Sequence, residues 1–221
     1  MNKLNSSVAL WLVVAITLVS ACTSSTPVEP EVPTISEVAI GTQVWMTSNL
    51  DVALFRNGDS IPHADTYEKW EKAATDGTPA WCYYDNNSAN GRLHGKLYNW
   101  YAVTDPRGLA PEGYHIPTDD EWTALTSFLG GEAEAGVKMK STQGWMGNGN
   151  GTNSSGFHGL PSGFVDFNGL FYSAGELGHW WSSTVSNANL AWKRYMGRNT
   201  SKVYRGAFYM GNGFSVRCIK D

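Results

Sequence analysis

Ten of the thirty-five residues in the stretch 144–178 are glycine, and asparagine and serine fill much of the remainder. Glycine loses more backbone freedom on ordering than any other residue and brings no side chain to bury. Such a stretch does not form helix; it predicts long loops with short strands between them. Regular structure must therefore lie on either side. After it come four runs at short intervals: WWSST at 180–184, LAWKRYM at 190–196, KVYRGAFYM at 202–210 and FSVRCIK at 214–220. They predict an antiparallel sheet, and no fixed-period repeat links them.

Upstream, local signals are clearer. ISEVAI, Gly41-Thr42 and QVWMTSNL predict a hairpin starting near Ile35, with one apolar face because Val44 and Met46 alternate with Gln43 and Trp45. Residues 65–75 have helical spacing, with Tyr67, Trp70 and Ala74 on one stripe. Asp65 and Glu68 sit as a capping box there, and Asp76-Gly77 is the stop. AWCYY at 80–84 predicts a strand, Asp85-Asn86-Asn87-Ser88 its turn, and LYNWYAV at 97–103 a short helix. The sharpest feature is PEGYHIPTDDEW at 111–122. Thr118 is placed as N-cap and Glu121 as the third helical residue, with Asp119 and Asp120 favoured by the helix dipole in the first turn. That helix runs through Trp122, Leu125 and Leu129 to Gly130-Gly131, and a second short one follows at 132–139.

The N-terminus has a different character. Residues 1–21 read as a signal peptide: Lys3 supplies a positive start, and VALWLVVAITLV at 8–19 is too short for a comfortable membrane span. The stretch ends in Leu18-Val19-Ser20-Ala21-Cys22, which matches the bacterial lipobox, so Cys22 is the expected lipidation site and first mature residue. Residues 22–34, with TSSTPVEPEVPT, predict a stiff, disordered tether. Residues 35–221 remain as one domain. A lipid at one end and a folded domain at the other place the protein in the cell envelope, on the outer membrane or cell surface. Disulfides form in that compartment. Cys82 and Cys218 are then left over, and one bridge between them is the simplest reading, with two buried free thiols as the alternative.

Composition narrows the function classes. Hydrophobic residues make up 42% and charged residues 16%, which excludes a disordered or coiled-coil chain. A net charge of -4 with no basic tract excludes nucleic acid as partner. A nucleophile elbow is missing, since Gly159-Leu160-Pro161-Ser162-Gly163 puts its serine one place too late. No Walker loop, dinucleotide fingerprint or paired-histidine zinc motif is present. The five histidines are scattered and read as surface or packing residues, and Asp119, Asp120 and Glu121 are explained by the helix start they occupy. Calcium is a possible cofactor through turn oxygens at Asp85, Asn87, Asp166 and Asn168, although the twelfth place after Asp85, where an EF-hand needs glutamate, is Lys96.

The ordered set IGTQVWMTSNL, WCYYDNN, LYNWYAV, PEGYHIPTDDEW, GFHGLPSGF, WWSST and GFSVRCIKD resembles the Fibrobacter succinogenes major paralogous domain family, extracellular bacterial lipoproteins, over residues 40–221. PEGYHIPTDDEW is also similar to a segment of the formylglycine-generating sulfatase-modifying family. Both resemblances imply an α+β, C-type-lectin-like fold: a small twisted antiparallel sheet, two main helices, long Gly/Asn-rich loops and neighbouring termini. They also imply a bridge from an early strand to the last one, which suits Cys82 with Cys218. Formylglycine generation needs a close pair of cysteines near the C-terminus, where Cys218 stands alone, so that activity is not implied.

The expectation is a non-catalytic surface module that recognises a glycan or another extracellular macromolecule. The alternatives are a structural or adhesive envelope lipoprotein that binds proteins, and a polysaccharide-active enzyme. Sugar faces stack on aromatic rings while their hydroxyls need polar partners. The candidate ligand contacts are therefore Trp145, set among glycine and asparagine and read as exposed, with Asn148, Asn150, Asn153, Asp166 and Asn168. Trp180 and Trp181 alternate on a strand, so one is expected to face in and the other out.

Overall fold

The computed structural model describes Met1 and residues 35–221; Cys22 and the rest of the expected signal peptide and tether lie outside the described residues. The hairpin at Gly41 forms first, from β1 (Glu37–Ile40) and β2 (Gln43–Met46), with Gly41 at φ 65° in the turn. Then come α1 (Tyr67–Asp76), β3 (Trp81–Cys82), a 3₁₀ turn at Tyr84–Asn86, α2 (Ser88–His94), β4 (Leu97–Tyr98) and α3 (Trp100–Val103). A short β5 (Tyr114–His115) leads into α4 (Asp119–Phe128) and α5 (Ala135–Met139). After a long irregular stretch follow β6 (Ser162–Val165), β7 (Phe171–Ala174), β8 (Leu177–Asn187), β9 (Leu190–Gly197), β10 (Val203–Tyr209) and β11 (Ile219–Lys220). The class is mixed α+β. Among the described residues no helix is long and apolar enough to cross a membrane.

Local chemistry sets the helix ends. Thr118 accepts a hydrogen bond from Glu121 N, and the Glu121 carboxylate accepts one from Thr118 N at 2.8 Å, closing the capping box read from the sequence. The cap of α1 is Thr66 instead of Asp65, and Gly77 ends the helix in the left-handed region at φ 67°. α2 carries no apolar stripe and was not legible. Its Asn87 cap accepts from Ala89 N, and Gly91 lies so close to the Tyr83 ring that a Cβ there would sit 2.1 Å from it. The helix expected at 97–103 starts later, because Leu97 and Tyr98 pair with β3 before Asn99 caps α3.

Two main sheets result. One is ordered β1-β2-β11-β5, the other β10-β9-β8-β6-β7, and β3 pairs with β4. The fourth run therefore pairs with the three before it only at Ser215, which bridges Trp180 of β8, and its end joins the other sheet as β11. After β10 the chain passes Gly213, which bridges Val165 of β6 through two backbone hydrogen bonds and where a Cβ would meet the Val165 and Trp70 side chains at 2.4 and 2.6 Å, so the close approach needs glycine. Ile219 then pairs with Trp45 on one side and His115 on the other.

Trp180 and Trp181 are both buried, which corrects the in-and-out expectation. The alternation is real, but each face of β8 has its own core. Trp180 packs with Trp45, Trp122, Phe157 and Met196, and Trp181 with Tyr98, Phe214 and Val216. The Cys82–Cys218 bridge is not formed. Both cysteines are free and buried, Cys82 among Trp70, Leu97 and Val165, Cys218 in the cluster of Trp181 and Tyr114. β3 is paired with β4, and it turns Trp81 into the cluster of Cys218 but Cys82 into the separate cluster of Trp70, Leu97 and Val165. Burial pushes the Cys218 thiol up to about 12 and that of Cys82 up as well. A buried polar knot joins the halves instead. Arg217 donates to the carbonyls of Met46 and Phe157 and, at 2.7 Å, to Asn49 Oδ1; Asn49 Nδ2 reaches Ser162 and Ser215 at 3.2 Å each.

Candidate functional site

One face of the five-stranded sheet carries a ladder of rings. Register places His179 opposite Tyr195 and Tyr195 opposite Tyr204, and the rings stack at 5.5 and 4.9 Å. Phe164 meets His179 at 5.0 Å, and Tyr172 stacks on Phe164 at 5.3 Å. Each strand thus contributes one ring, in sheet order, and the end rings Tyr204 and Tyr172 are exposed.

Lys193 lies inside this face, fully buried. Its Nζ sits 4.3 Å from the centre of Tyr195, 3.8 Å from Phe208 and 4.5 Å from Phe214, and donates to His179 Nδ1. Its register partner is Gly206, and a Cβ there would strike the Phe208 ring at 2.9 Å, so the missing side chain lets Phe208 close over the amine. No carboxylate pairs with Lys193 among the described residues. Burial holds Lys193 well below the usual lysine range and His179 well below the usual histidine range. With Nδ1 accepting, the His179 proton sits on Nε2, which has no partner.

At the β9–β10 end the ladder opens into a cleft of about 580 Å³. Tyr195 and Tyr204 form one wall, and Glu176, Arg198, Asn199 and Thr200 surround them. Arg198 Nε lies 3.1 Å from Glu176 Oε1, which neutralises both charges. A second hollow of about 210 Å³ shares Arg198, Asn199 and Thr200 and adds Asn148 and Asn150. The glycine-rich loop reaches this position because Gly149 packs flat on Arg198, where a Cβ would be 2.6 Å away. Lys140 Nζ donates to Thr200 O at 3.0 Å and fixes the β9–β10 turn from beneath. A stacked ring pair thus lines one of two adjoining hollows and the loop asparagines the other, with Arg198, Asn199 and Thr200 between them.

Asn148 and Asn150 are therefore brought to a cleft, and the other sequence candidates are not. Trp145 is 4% exposed, packed in the Trp180 cluster with Nε1 donating to Gly159 O at 3.1 Å. The reading of Trp145 as exposed is wrong because the loop folds back over it: Asn150 Oδ1 accepts from Trp145 N at 3.0 Å. Asn153 holds its own turn, accepting from His158 N at 2.7 Å. Asp166 Oδ1 accepts from Asn168 N and Leu170 N, both at 2.9 Å, and so shapes the β6–β7 turn. Asp85 lies in the 3₁₀ turn at φ 54° and Asn87 caps α2. The calcium candidates thus divide between two separate turns. Among the described residues no three His, Cys, Asp or Glu side chains gather as a metal set.

Three further constellations were not legible. Ser162 Oγ lies 3.2 Å from His94 Nδ1, a serine–imidazole contact, yet the serine is fully buried and tied to Asn49. Asp119, read only as a helix-start acid, is buried and binds Arg194 and, at 2.9 Å, Arg205 Nε, locking α4 to β9 and β10. His115 sits between two carboxylates, Nδ1 2.7 Å from Asp221 and Nε2 2.8 Å from Glu121. Burial opposes its charge, but the carboxylates outweigh that and raise its pKa. Of the cleft residues, Tyr195, Tyr204, Glu176, Arg198, Asn199 and Thr200 were missed, since cross-strand register brings them together. A family model described as Fibrobacter succinogenes major domain matches residues 38–220. No curated protein and no solved structure matches.

Proposed function

The chain belongs to the Fibrobacter succinogenes major domain family, and we propose that its domain is a non-catalytic binding module that holds a glycan in the cleft beside Tyr195 and Tyr204. The observation that carries this reading is the cleft's composition: a stacked tyrosine pair, one ring 37% exposed, beside the Asn199 amide, the Thr200 hydroxyl and a neutralised ion pair. Sugars need that combination of a flat apolar face and flanking hydrogen-bond partners. The non-catalytic reading is supported by Ser162, whose hydroxyl is sealed in the core. A C-type-lectin-like architecture is supported by β2 and β11 lying side by side, by the two ten-residue helices α1 and α4, and by the long irregular stretch between α5 and β6. With Cys22 lipidated, the module would stand on the outer face of a membrane.

The test is a glycan array probed with the purified full chain, with and without calcium, followed by titration of any hit against Tyr204→Ala. Binding should fall at least about tenfold while the melting temperature stays within a few degrees, since the ring is partly exposed. Silence across all polysaccharides, or a hit indifferent to Tyr204, refutes the cleft as a glycan site.

A further inference from the structure

Tyr209 ends β10 on the strand face opposite to Tyr204 and so belongs to a different surface from the cleft. Its ring is 58% exposed and stands 5.7 Å from that of Phe167, itself 46% exposed. Tyr101 of α3 joins them, and the three line a hollow of about 270 Å³ with the end of α1, at Ala74 and Thr75, as a further wall. Close packing fixes these elements. Asp166 Oδ1 shapes the turn that carries Phe167, and Gly169 in that turn lies against α1, where a Cβ would stand 2.9 Å from the Tyr67 backbone. Gly211 packs on α1 as well, where a Cβ would be 2.7 Å from the Ala74 methyl, and its carbonyl accepts from Trp70 Nε1 at 3.1 Å.

The unmatched charge around the hollow is negative. No lysine, arginine or histidine lines it. The contacts of Tyr67 with Gly169 and of Ala74 with Gly211 turn one stripe of α1 towards the hollow. Glu71 lies on that stripe, one turn after Tyr67 and one turn before Thr75. Neither Glu71 nor Asp166, which precedes Phe167, has an ion-pair partner among the described residues. The lysines of α1 are already matched, Lys69 by Asp65 and Lys72 by Asp76. The hollow also lies at the C-terminal end of α1, the negative end of a helix dipole. The N–H groups of Met210 and Asn189, which could have met an anion, donate instead to Asn189 O and Asn187 Oδ1.

We infer that this hollow is an aromatic cage for a small organic cation, a group whose positive nitrogen is covered by methyls. Ring faces are electron-rich and attract a cation, and the methyls give it the apolar surface that three rings can cover. The volume is below that of sites for drug-sized ligands and suits a headgroup. A sugar could lie on the same rings but leaves the unmatched carboxylates without a partner. The site is separate from the glycan cleft and does not depend on that reading.

The experiment titrates the purified full chain by calorimetry with choline and with its uncharged isostere, in which carbon replaces the quaternary nitrogen. Choline should bind at least about tenfold more tightly than the isostere. Tyr209→Leu keeps an apolar side chain but loses the ring; it should weaken choline at least about tenfold and the isostere less than about threefold, and Tyr209→Phe should restore choline binding. Glu71→Gln should weaken choline by about twofold to fivefold, and added salt should narrow that difference. Melting curves establish that the variants are folded. Choline binding alone assigns a free ligand, and Tyr209-dependent binding of phosphatidylcholine vesicles as well assigns a lipid headgroup; either supports the cage. Equal affinity for choline and the isostere, choline binding unchanged in Tyr209→Leu, or no binding of choline overturns it. Binding of methyl glucoside in place of choline, lost in Tyr209→Leu, overturns it too and makes the hollow a second sugar site.

Discussion

Replacing Lys193 by methionine should make the domain more stable, and the gain should depend on pH in a defined way. The amine is buried against three rings with a neutral imidazole as its acceptor and no carboxylate. In the unfolded chain it titrates near its ordinary value, whereas in the folded domain its pKa is depressed by burial. Between those two values the unfolded chain holds a proton that the folded one lacks. Stability therefore rises with pH by about 1.4 kcal/mol per unit until the unfolded pKa of about 10.4, and is lost as pH falls towards the folded value. At pH 7 that depression costs at most about 4.6 kcal/mol on that scale. Methionine removes the cost and keeps the contact with the rings, but forfeits a hydrogen bond to His179 worth about 1–2 kcal/mol. The net gain at pH 7 is then at most about 3–4 kcal/mol, within the range found when buried charge is exchanged for apolar volume. Urea unfolding of both proteins from pH 6 to pH 10 measures it. The difference between them should shrink steadily as pH rises, while the buried tyrosines and thiols, common to both, cancel. A difference that does not change with pH, or a methionine variant less stable throughout, refutes the reasoning.

Trp145→Ala should cost about 3–5 kcal/mol by chemical denaturation, as loss of a large core ring does; near-neutral stability would put Trp145 back on the surface. Cys82→Ala and Cys218→Ala should each cost roughly 1 kcal/mol and add in the double variant to within about 0.5 kcal/mol, because they occupy separate clusters. Thiol titration of the unreduced, unfolded domain should find both cysteines reactive, and a bridge would leave neither. His115 has a raised pKa when folded, so its stabilisation is complete below the ordinary histidine value near 6.5 and fades as pH rises through the raised one. Its ring is over a third exposed, and solvent screening keeps the contribution under about 1 kcal/mol. His115→Gln should flatten that part of the stability–pH curve, and an unchanged curve would mean the carboxylates do not hold the charge. Cys22→Ser should move the protein out of the membrane fraction, and a mature N-terminus other than Cys22 in mass spectrometry would refute the anchor.

What could be read ahead of the structure was what neighbouring residues decide. The capping box of Thr118 and Glu121 spans four residues, and the turn at Gly41 needs only the glycine, so both were legible. The cysteine pairing, the burial of Trp145 and the destination of the last strand depend on residues far away in the chain. A tryptophan among glycines reads as exposed until Asn150 is seen to pull its own loop back over the ring. The cleft fails for the same reason. Tyr195 and Tyr204 are unremarkable in sequence and become a stacked pair only once β9 and β10 take their register. Asn148 and Asn150 lie beside a hollow while Asp166 holds its own turn, and the sequence does not separate the two cases because the same side-chain chemistry serves both.

The place of β11 bears on how the chain comes to fold. It is a central strand of the terminal sheet, yet it lies at the opposite end of the domain's sequence from its neighbour β2. Until Ile219 is made, Trp45 and His115 lack the partner that joins their strands, and until Arg217 is made, the carbonyls of Met46 and Phe157 lack their donor. Closing so long a loop is slow compared with making a hairpin or a helix. An unfinished or truncated chain is therefore left with an open sheet edge and no knot at its centre, and cannot settle into a smaller version of the same domain.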